Sequence, residues 1–376
     1  MLRPSPGPLS AAHPTGRGRL RRALGGLCCV LGSLVGAAPL PAGPATCGPG
    51  VTAPAPATPL PASVSGRVDF YAARYDPRTL QPKAALALGQ ANAVHPLASS
   101  FKPLVVQAIL QDVDAGRFTL SHTFTATAAT RSIEGYPPGP TALSELVKRA
   151  IVRSDNTASD LLQLAYGPVR LARRVQQLSP CTTVLLTTKA WWAAQAGLSA
   201  GVLGPDTGAG ALAYAGLPFD QRLQQAGRLI AASQQVSGPQ VEAALDRYFH
   251  GPQYLPALEL ALQNTSTPQA YTDLMVRTLS GAGLQAETRQ LFRRVLAAGC
   301  CQPKLPRLRA SYWASKAGSG WRLLTLTGLV ELPGGDLLAY SYFNDNSATT
   351  DAELMELQLP VVVRWIESGL LSLASP

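Results

Sequence analysis

Residues 310–343 read Ala310-Ser-Tyr-Trp-Ala-Ser-Lys316-Ala-Gly-Ser-Gly-Trp-Arg-Leu-Leu-Thr-Leu-Thr-Gly-Leu-Val-Glu-Leu-Pro333-Gly-Gly-Asp-Leu-Leu-Ala-Tyr-Ser-Tyr-Phe343. Strand-like runs at 310–316, 323–332 and 337–343 replace helical periodicity here, and Pro333-Gly-Gly-Asp336 joins the last two. The other end of the chain answers them. Residues 67–75 have strand composition, Asp76-Pro-Arg-Thr79 is a turn signal, and Lys83 to Gln90 returns as a second strand. Strands at both ends with helices between predict an α/β (α+β) fold in which the terminal strands share one antiparallel sheet flanked by helices, and the middle forms an all-helical lobe. The expected α/β lobe is 66–95 with 305–376, and the helical lobe is 96–304.

The helices of the middle are readable from their punctuation. Pro103 is tolerated only in a first turn, so a helix starts close to Ser99 and Ser100 and stops at Gly116. A second runs from about Thr141, with Leu143, Leu146, Val147, Ala150 and Ile151 at helical spacing. It halts near Ser154-Asp-Asn156, and Thr157-Ala-Ser-Asp160 reads as the capped start of a third. Residues 200–263 are mostly helical and carry no nameable motif. Thr267-Pro268 opens another helix that ends near Gly281. Thr350-Asp-Ala-Glu353 caps a closing helix that Pro360 should kink or divide.

The first 64 residues differ in character. They contain five arginines and no acid, so without them Lys+Arg falls from 32 to 27 against 22 acids and the net charge from +10 to +5. Half of the basic excess lies in this leader, which argues against a nucleic-acid partner. Basic residues up to Arg22, an apolar stretch and then small residues have the layout of a secretory signal peptide, assigned to 1–45. A Pro/Ala-rich linker follows at 46–65 and reads as an extended spacer. The domain is then 66–376, where no stretch reads as a membrane span. The expected location is exported: periplasm, cell envelope or secreted.

An oxidising compartment permits disulfides among Cys47, Cys181, Cys300 and Cys301, the expected one joining Cys181 to Cys300 or Cys301. With four histidines, no His-Glu-x-x-His and no Cys-x-x-Cys, neither metal nor cofactor is expected.

Three short motifs carry chemistry. Ser99-Ser-Phe-Lys102 places a hydroxyl and an amine on one helical face, where a desolvated lysine can serve as the serine's base. Ser154-Asp155-Asn156 occupies a tight interhelical connection, and Lys316-Ala317-Gly318 lies at a strand end. Singly each has a plain structural reading, as a helix cap, a turn or a strand-end charge. Together, in this order, they arise by chance on the order of once in ten thousand chains.

In these motifs the chain resembles the class A serine β-lactamases and the wider penicillin-recognising serine hydrolases. Asn264-Thr-Ser-Thr-Pro268 also looks like a segment of that family. The resemblance spans roughly residues 66–370. It implies Ser99 as nucleophile, Lys102 as general base, Ser154 as proton relay and Lys316 as the catalytic cation facing a substrate carboxylate. It also implies substrate contacts from Asn156, Ala317, Gly318 and Ser319, an oxyanion hole from the N–H groups of Ser99 and Ser319, and Tyr136 as a wall of the cleft.

Two departures temper the expected activity. The family deacylates with a glutamate in an E-x-x-L-N pattern after S-D-N, yet no glutamate occurs between Glu145 and Glu242, and Trp191 and Trp192 fall near its usual place. Ala317 stands where a hydroxyl residue is common. The segment between S-D-N and K-A-G is long, which should remodel the cleft rim. The expected function is thus an exported serine hydrolase that opens a β-lactam, a cyclic amide, through a Ser99 acyl-enzyme, with deacylation in question. The alternatives are a peptidoglycan D,D-peptidase or esterase-like penicillin-binding enzyme, and a non-hydrolytic covalent β-lactam-binding module. The partner is a small-molecule β-lactam or a cell-wall peptide. Gly197-Leu-Ser-Ala-Gly201 also fits G-x-S-x-G, but no strand precedes it.

Overall fold

The computed structural model describes residues 45–133 and 135–375; the signal peptide assigned to 1–45 falls, but for its last residue, outside them. The chain enters the fold through β1 (Arg67–Tyr75), β2 (Pro82–Leu88) and the two-residue β3 (His95–Pro96). A 3-10 turn over Ala98–Phe101 runs into α1 (Lys102–Asp114). Next come β4 (Thr123–Thr125), β5 (Pro140–Ala142), α2 (Leu143–Val152), α3 (Asn156–Tyr166), α4 (Pro168–Leu178) and α5 (Thr188–Gln195). The long middle segment folds as α6 (Ala200–Leu203), α7 (Thr207–Ala215), α8 (Phe219–Ser233), α9 (Gly238–His250) and α10 (Ala257–Leu262). Then follow β6 (Thr265–Ser266), α11 (Pro268–Leu279), α12 (Ala286–Ala297), β7 (Tyr312–Gly320), β8 (Leu323–Glu331), β9 (Leu337–Asp345), α13 (Ala352–Glu356) and α14 (Leu359–Ala374).

The terminal strands do unite. The sheet order is β2-β1-β9-β8-β7, antiparallel throughout, with Arg67 opposite Asp345 and Lys316 opposite Thr327. Because side chains alternate across a sheet, β1 sends Tyr71, Ala73 and Tyr75 into the large core and Phe70 and Ala72 to the other face. That second face is covered by α14 through Val362, Trp365, Ile366 and Leu370. The large core runs from the sheet through α1 into the helical lobe, joining Phe101, Leu104, Val105, Leu146, Val147 and Leu162.

Several expectations need correction. Helix α11 packs on β1, β8 and β9, while α12 lies between β7 and helices α1 and α2, so residues 268–279 flank the sheet and interrupt the helical lobe expected at 96–304. The cap of α3 is Asp155, whose side chain accepts from Ala158 N at 2.9 Å, and not Thr157. Strand β7 runs on to Gly320, placing Lys316-Ala-Gly318 inside it and not at its end. Pro360 does divide the closing helix, sitting in the first turn of α14. By length and composition 352–374 is apolar enough to cross a membrane, contrary to the sequence reading, but its apolar face is the one buried on the sheet.

Residues 46–65 hold no helix and no strand beyond the bridge at Thr46, and they do not behave as a free spacer. Thr46 bridges to Ala93, the Ala87 N–H donates to Pro54 O at 3.0 Å, and the Trp365 indole donates to Thr58 O at 2.9 Å. Cys181 pairs with Cys47, Cα to Cα 5.6 Å, and not with the later cysteines, which bond to each other as Cys300–Cys301. Closing a loop between residues 134 apart removes unfolded-state entropy worth about 4–5 kcal/mol in a chain-entropy account. Unreduced protein denatured in iodoacetamide should therefore take up no label on these four cysteines, and four labels after reduction, as read by intact mass.

Candidate active site

The S-x-x-K turn is a 3-10 turn, and this decides its geometry. In that helix type side chains at i and i+3 eclipse, so Ser99 and Lys102 share one face. Lys102 is fully buried at the start of α1. Its ammonium donates to Asn156 Oδ1 at 2.7 Å, to Ser154 Oγ at 3.2 Å and to Ser154 O. Ser154 itself adopts φ +55°, a left-handed conformation that costs a non-glycine residue energy and recurs at functional sites. There its hydroxyl stands between two amines, because Lys316 Nζ from β7 lies 2.9 Å from the same Oγ. Burial, and then the neighbouring Lys102, push the Lys316 ammonium well below its usual range, while Glu356 opposes them.

Glycine at 318 is a steric requirement. A Cβ there would collide with Ser99 N and come within 2.8 Å of Ser100 N and Ala98 Cβ. Strand β7 therefore runs against the N–H groups of the serine turn, the close approach that an oxyanion site needs. Ser99, Ser154, Asn156 and Ser319 open onto one cleft of about 420 Å³.

Three expected contacts, Tyr136, Ala317 and Gly318, do not line this cleft, Gly318 because it abuts the serine turn. Tyr136 is buried beneath the Arg149 guanidinium, 4.8 Å from its ring centroid, and Arg149 Nε donates to Asp155 Oδ2 at 2.9 Å. It braces the Ser154-Asp-Asn turn from behind and does not line the cleft. Ala317 points to the opposite face of β7 from Lys316 and packs in the α14-side core, as strand alternation requires. A hydroxyl there would face that core.

Helix α3 also positions the opposite wall. One turn after Asn156, Asp160 accepts from the backbone N–H groups of Thr188 and Lys189, at 2.8 and 2.9 Å, and so holds the N-terminus of α5. Burial raises its carboxyl above the ordinary range. Helix α5 carries Trp191, Trp192 and Gln195 to the cleft, and the long middle segment adds Phe249 and His250 from α9. The long segment between S-D-N and K-A-G thus supplies part of the cleft rim. Gly197-Leu-Ser-Ala-Gly201 follows α5 and not a strand, so no nucleophile elbow forms.

A carboxylate that the sequence reading missed also lines the cleft. Glu259, in α10, is buried, and burial pushes its carboxyl up to about 7. It accepts from the side-chain amides of Gln195 and Gln263. The signal was present: Glu259-Leu-Ala-Leu-Gln263 matches E-x-x-L-N except for its final amide, and it directly precedes Asn264-Thr-Ser-Thr-Pro268. Asn264 Oδ1 accepts from Leu185 N and Leu186 N at 2.9 and 3.1 Å, tying this segment to the chain just before α5. Among the described residues, no three His, Cys, Asp or Glu side chains are grouped to hold a metal.

The arrangement agrees with what the chain is similar to. The β-lactamase enzyme family model matches residues 81–201. A β-lactamase from Burkholderia vietnamiensis superposes with a TM-score of 0.53 at 23 % identity, covering 83 % of this chain and 92 % of that one. One from Xanthomonas campestris pv. campestris gives 0.53 at 18 %, covering 82 % and 93 %. An ancestral class A β-lactamase reconstructed for Gram-negative bacteria gives 0.51 at 20 %, covering 80 % and 93 %. At these identities the likeness establishes the fold. No curated protein matches the chain.

Proposed function

We propose, for a chain that is class A β-lactamase-like in fold and in its family match, that it is an exported serine hydrolase opening β-lactam-type cyclic amides through an acyl-enzyme on Ser99. The observation that carries this reading is the cluster beneath the cleft: two buried lysines and one strained serine, joined amine to hydroxyl to amine, next to Ser99. In this reading Lys102 takes the Ser99 proton and Oγ attacks the lactam carbonyl. The negative charge that develops on the carbonyl oxygen is met by the N–H groups of Ser99 and Ser319. The C–N bond then breaks, and the nitrogen takes a proton from Ser154, resupplied by the flanking amines. Asn156 holds Lys102 and offers its amide to the substrate's side chain.

Glu259 fits the second half-reaction. A carboxyl near 7 is matched to taking a proton from water at neutral pH. The Gln263 Oε1 atom is buried and has no partner among the described residues, so it is an acceptor suited to that water's other hydrogen. Water attack on the ester then frees Ser99. This carboxylate weighs against the reading as a covalent module that never hydrolyses, and against the D,D-peptidase alternative. Export is supported by the basic and apolar leader and by two disulfides, which persist in oxidising compartments.

Intact mass of the protein mixed with penicillin G, sampled from seconds to hours, tests the reading. The expected result is a penicilloyl adduct that appears and then decays as product accumulates. A lasting adduct would favour the penicillin-binding alternatives. No adduct and no product would reject β-lactams as substrates.

A further inference from the structure

On the reading that Ser99 is acylated, a penicillin would direct its own carboxylate towards Lys316 and Ser319. In this chain an anion of the protein already stands there. Ser319 Oγ donates to Glu356 Oε1 at 2.6 Å, and both residues line the cleft. The same carboxylate lies close enough for its field to reach the buried Lys316 ammonium. Glu356 belongs to α13, whose N-terminus adds Asp351 and Glu353 to the same cavity, while α9 contributes Glu242 and Asp246. The cations lining the cleft are Arg153 and, when protonated, His250, which is engaged with Asp246 at 3.2 Å. The acids also crowd one another: Asp351, hydrogen-bonded beside it, raises the Glu353 carboxyl above its ordinary range.

Aromatic faces accompany this charge. Trp321 stacks on Phe249, centroids 4.9 Å apart with an interplanar angle of 16°, and both line the cleft. Ring faces and carboxylates are the two kinds of group that attract an ammonium ion.

We propose that the cleft selects acyl substrates bearing a cationic group on the leaving-group side of the scissile amide, with Glu356 as the specificity-determining residue, and disfavours the carboxylate that penicillins carry at that position. Lys316 then serves proton transfer through Ser154 more than it serves carboxylate binding.

Three probes share one ring and one side chain and differ only at that position: penicillin G, its methyl ester and its 2-(diethylamino)ethyl ester, which is cationic at pH 7. The bond opened is the lactam C–N in each, and the ester group is a spectator. The rate of Ser99 adduct formation, followed by intact mass, should be at least about tenfold higher for the cationic ester than for penicillin G, with the methyl ester between. Raising the ionic strength should shrink that preference. Glu356 is exposed, so Glu356→Gln leaves the core intact and keeps an acceptor for Ser319. This variant should narrow the preference to about threefold or less, and Glu356→Lys should invert it. Equal or faster acylation of the wild-type protein by penicillin G overturns the proposal, as does a preference unchanged in Glu356→Gln. If none of the three leaves an adduct, the acylation reading itself fails and this inference falls with it. Adducts formed without preference reject this inference alone.

Discussion

Alanine at Ser99 abolishes the penicilloyl adduct and lowers turnover about a million-fold, the scale on which a serine hydrolase loses activity with its nucleophile. The other cleft groups do not compensate. Lys102 and Lys316 are buried beneath the cleft and engaged with Ser154, and the Ser154 hydroxyl is held between them. A small methyl at 99 is compatible with the turn, whose crowded side is the backbone facing Gly318. The thermal midpoint should therefore stay within a few degrees of the parent, so that loss of the adduct reports chemistry and not unfolding. An adduct surviving in Ser99→Ala would move the nucleophile elsewhere.

Glu259→Gln should separate the two half-reactions. Acylation proceeds and hydrolysis of the ester slows by about 10²–10⁴, the usual worth of general-base assistance. Intact mass then shows a lasting adduct where the parent shows a transient one. In the parent, deacylation should rise with pH through about 7, since the carboxyl must be ionised to take a proton from water; in the variant that rise disappears. Stability supplies an independent readout. A carboxyl raised from 4.5 to about 7 by folding binds more protons in the native state between those values. Native stability therefore falls as pH rises through this window. The variant lacks that fall, so melting midpoints measured at pH 5 and pH 8 should differ less in Glu259→Gln than in the parent. Unchanged deacylation in the variant would remove Glu259 from the mechanism.

The Ser99 side of the candidate site is legible in the chain because its parts are local. Ser99 and Lys102 lie within one turn, Ser154 to Asn156 within one connection, and Lys316 to Ser319 within one strand. The proposed base, Glu259, is not local in that sense. Helices α6 to α9 stand between α5 and Glu259, so a search at the customary spacing after S-D-N arrives at Trp191 and Trp192 and stops short. The pattern at 259–263 is visible only when read backwards from Asn264. The extent of β7 is obscured for a different reason. Gly318 and Gly320 have poor strand propensity, yet both pair with β8, and position 318 is glycine because Ser99 N leaves no room for a side chain there. The α11 and α12 stretch is amphipathic in the ordinary helical way, and no periodicity announces whether a sheet or another helix receives it. The Cys47–Cys181 pairing is equally silent, since it depends on where an arm without periodicity comes to rest.

That arm has one more effect, on how the molecule meets its neighbours. Strand β2 is the outermost strand on its side of the sheet, and an outermost strand offers unpaired amides to any passing chain. Here the Ala87 amide is already taken by the carbonyl of Pro54. The arm carries further prolines at 56, 59 and 61, which have carbonyls to give and no N–H of their own. It can therefore occupy that amide while its prolines offer no N–H in return. A cover of this composition works against edge-to-edge aggregation, and the disulfide at its root keeps it in place.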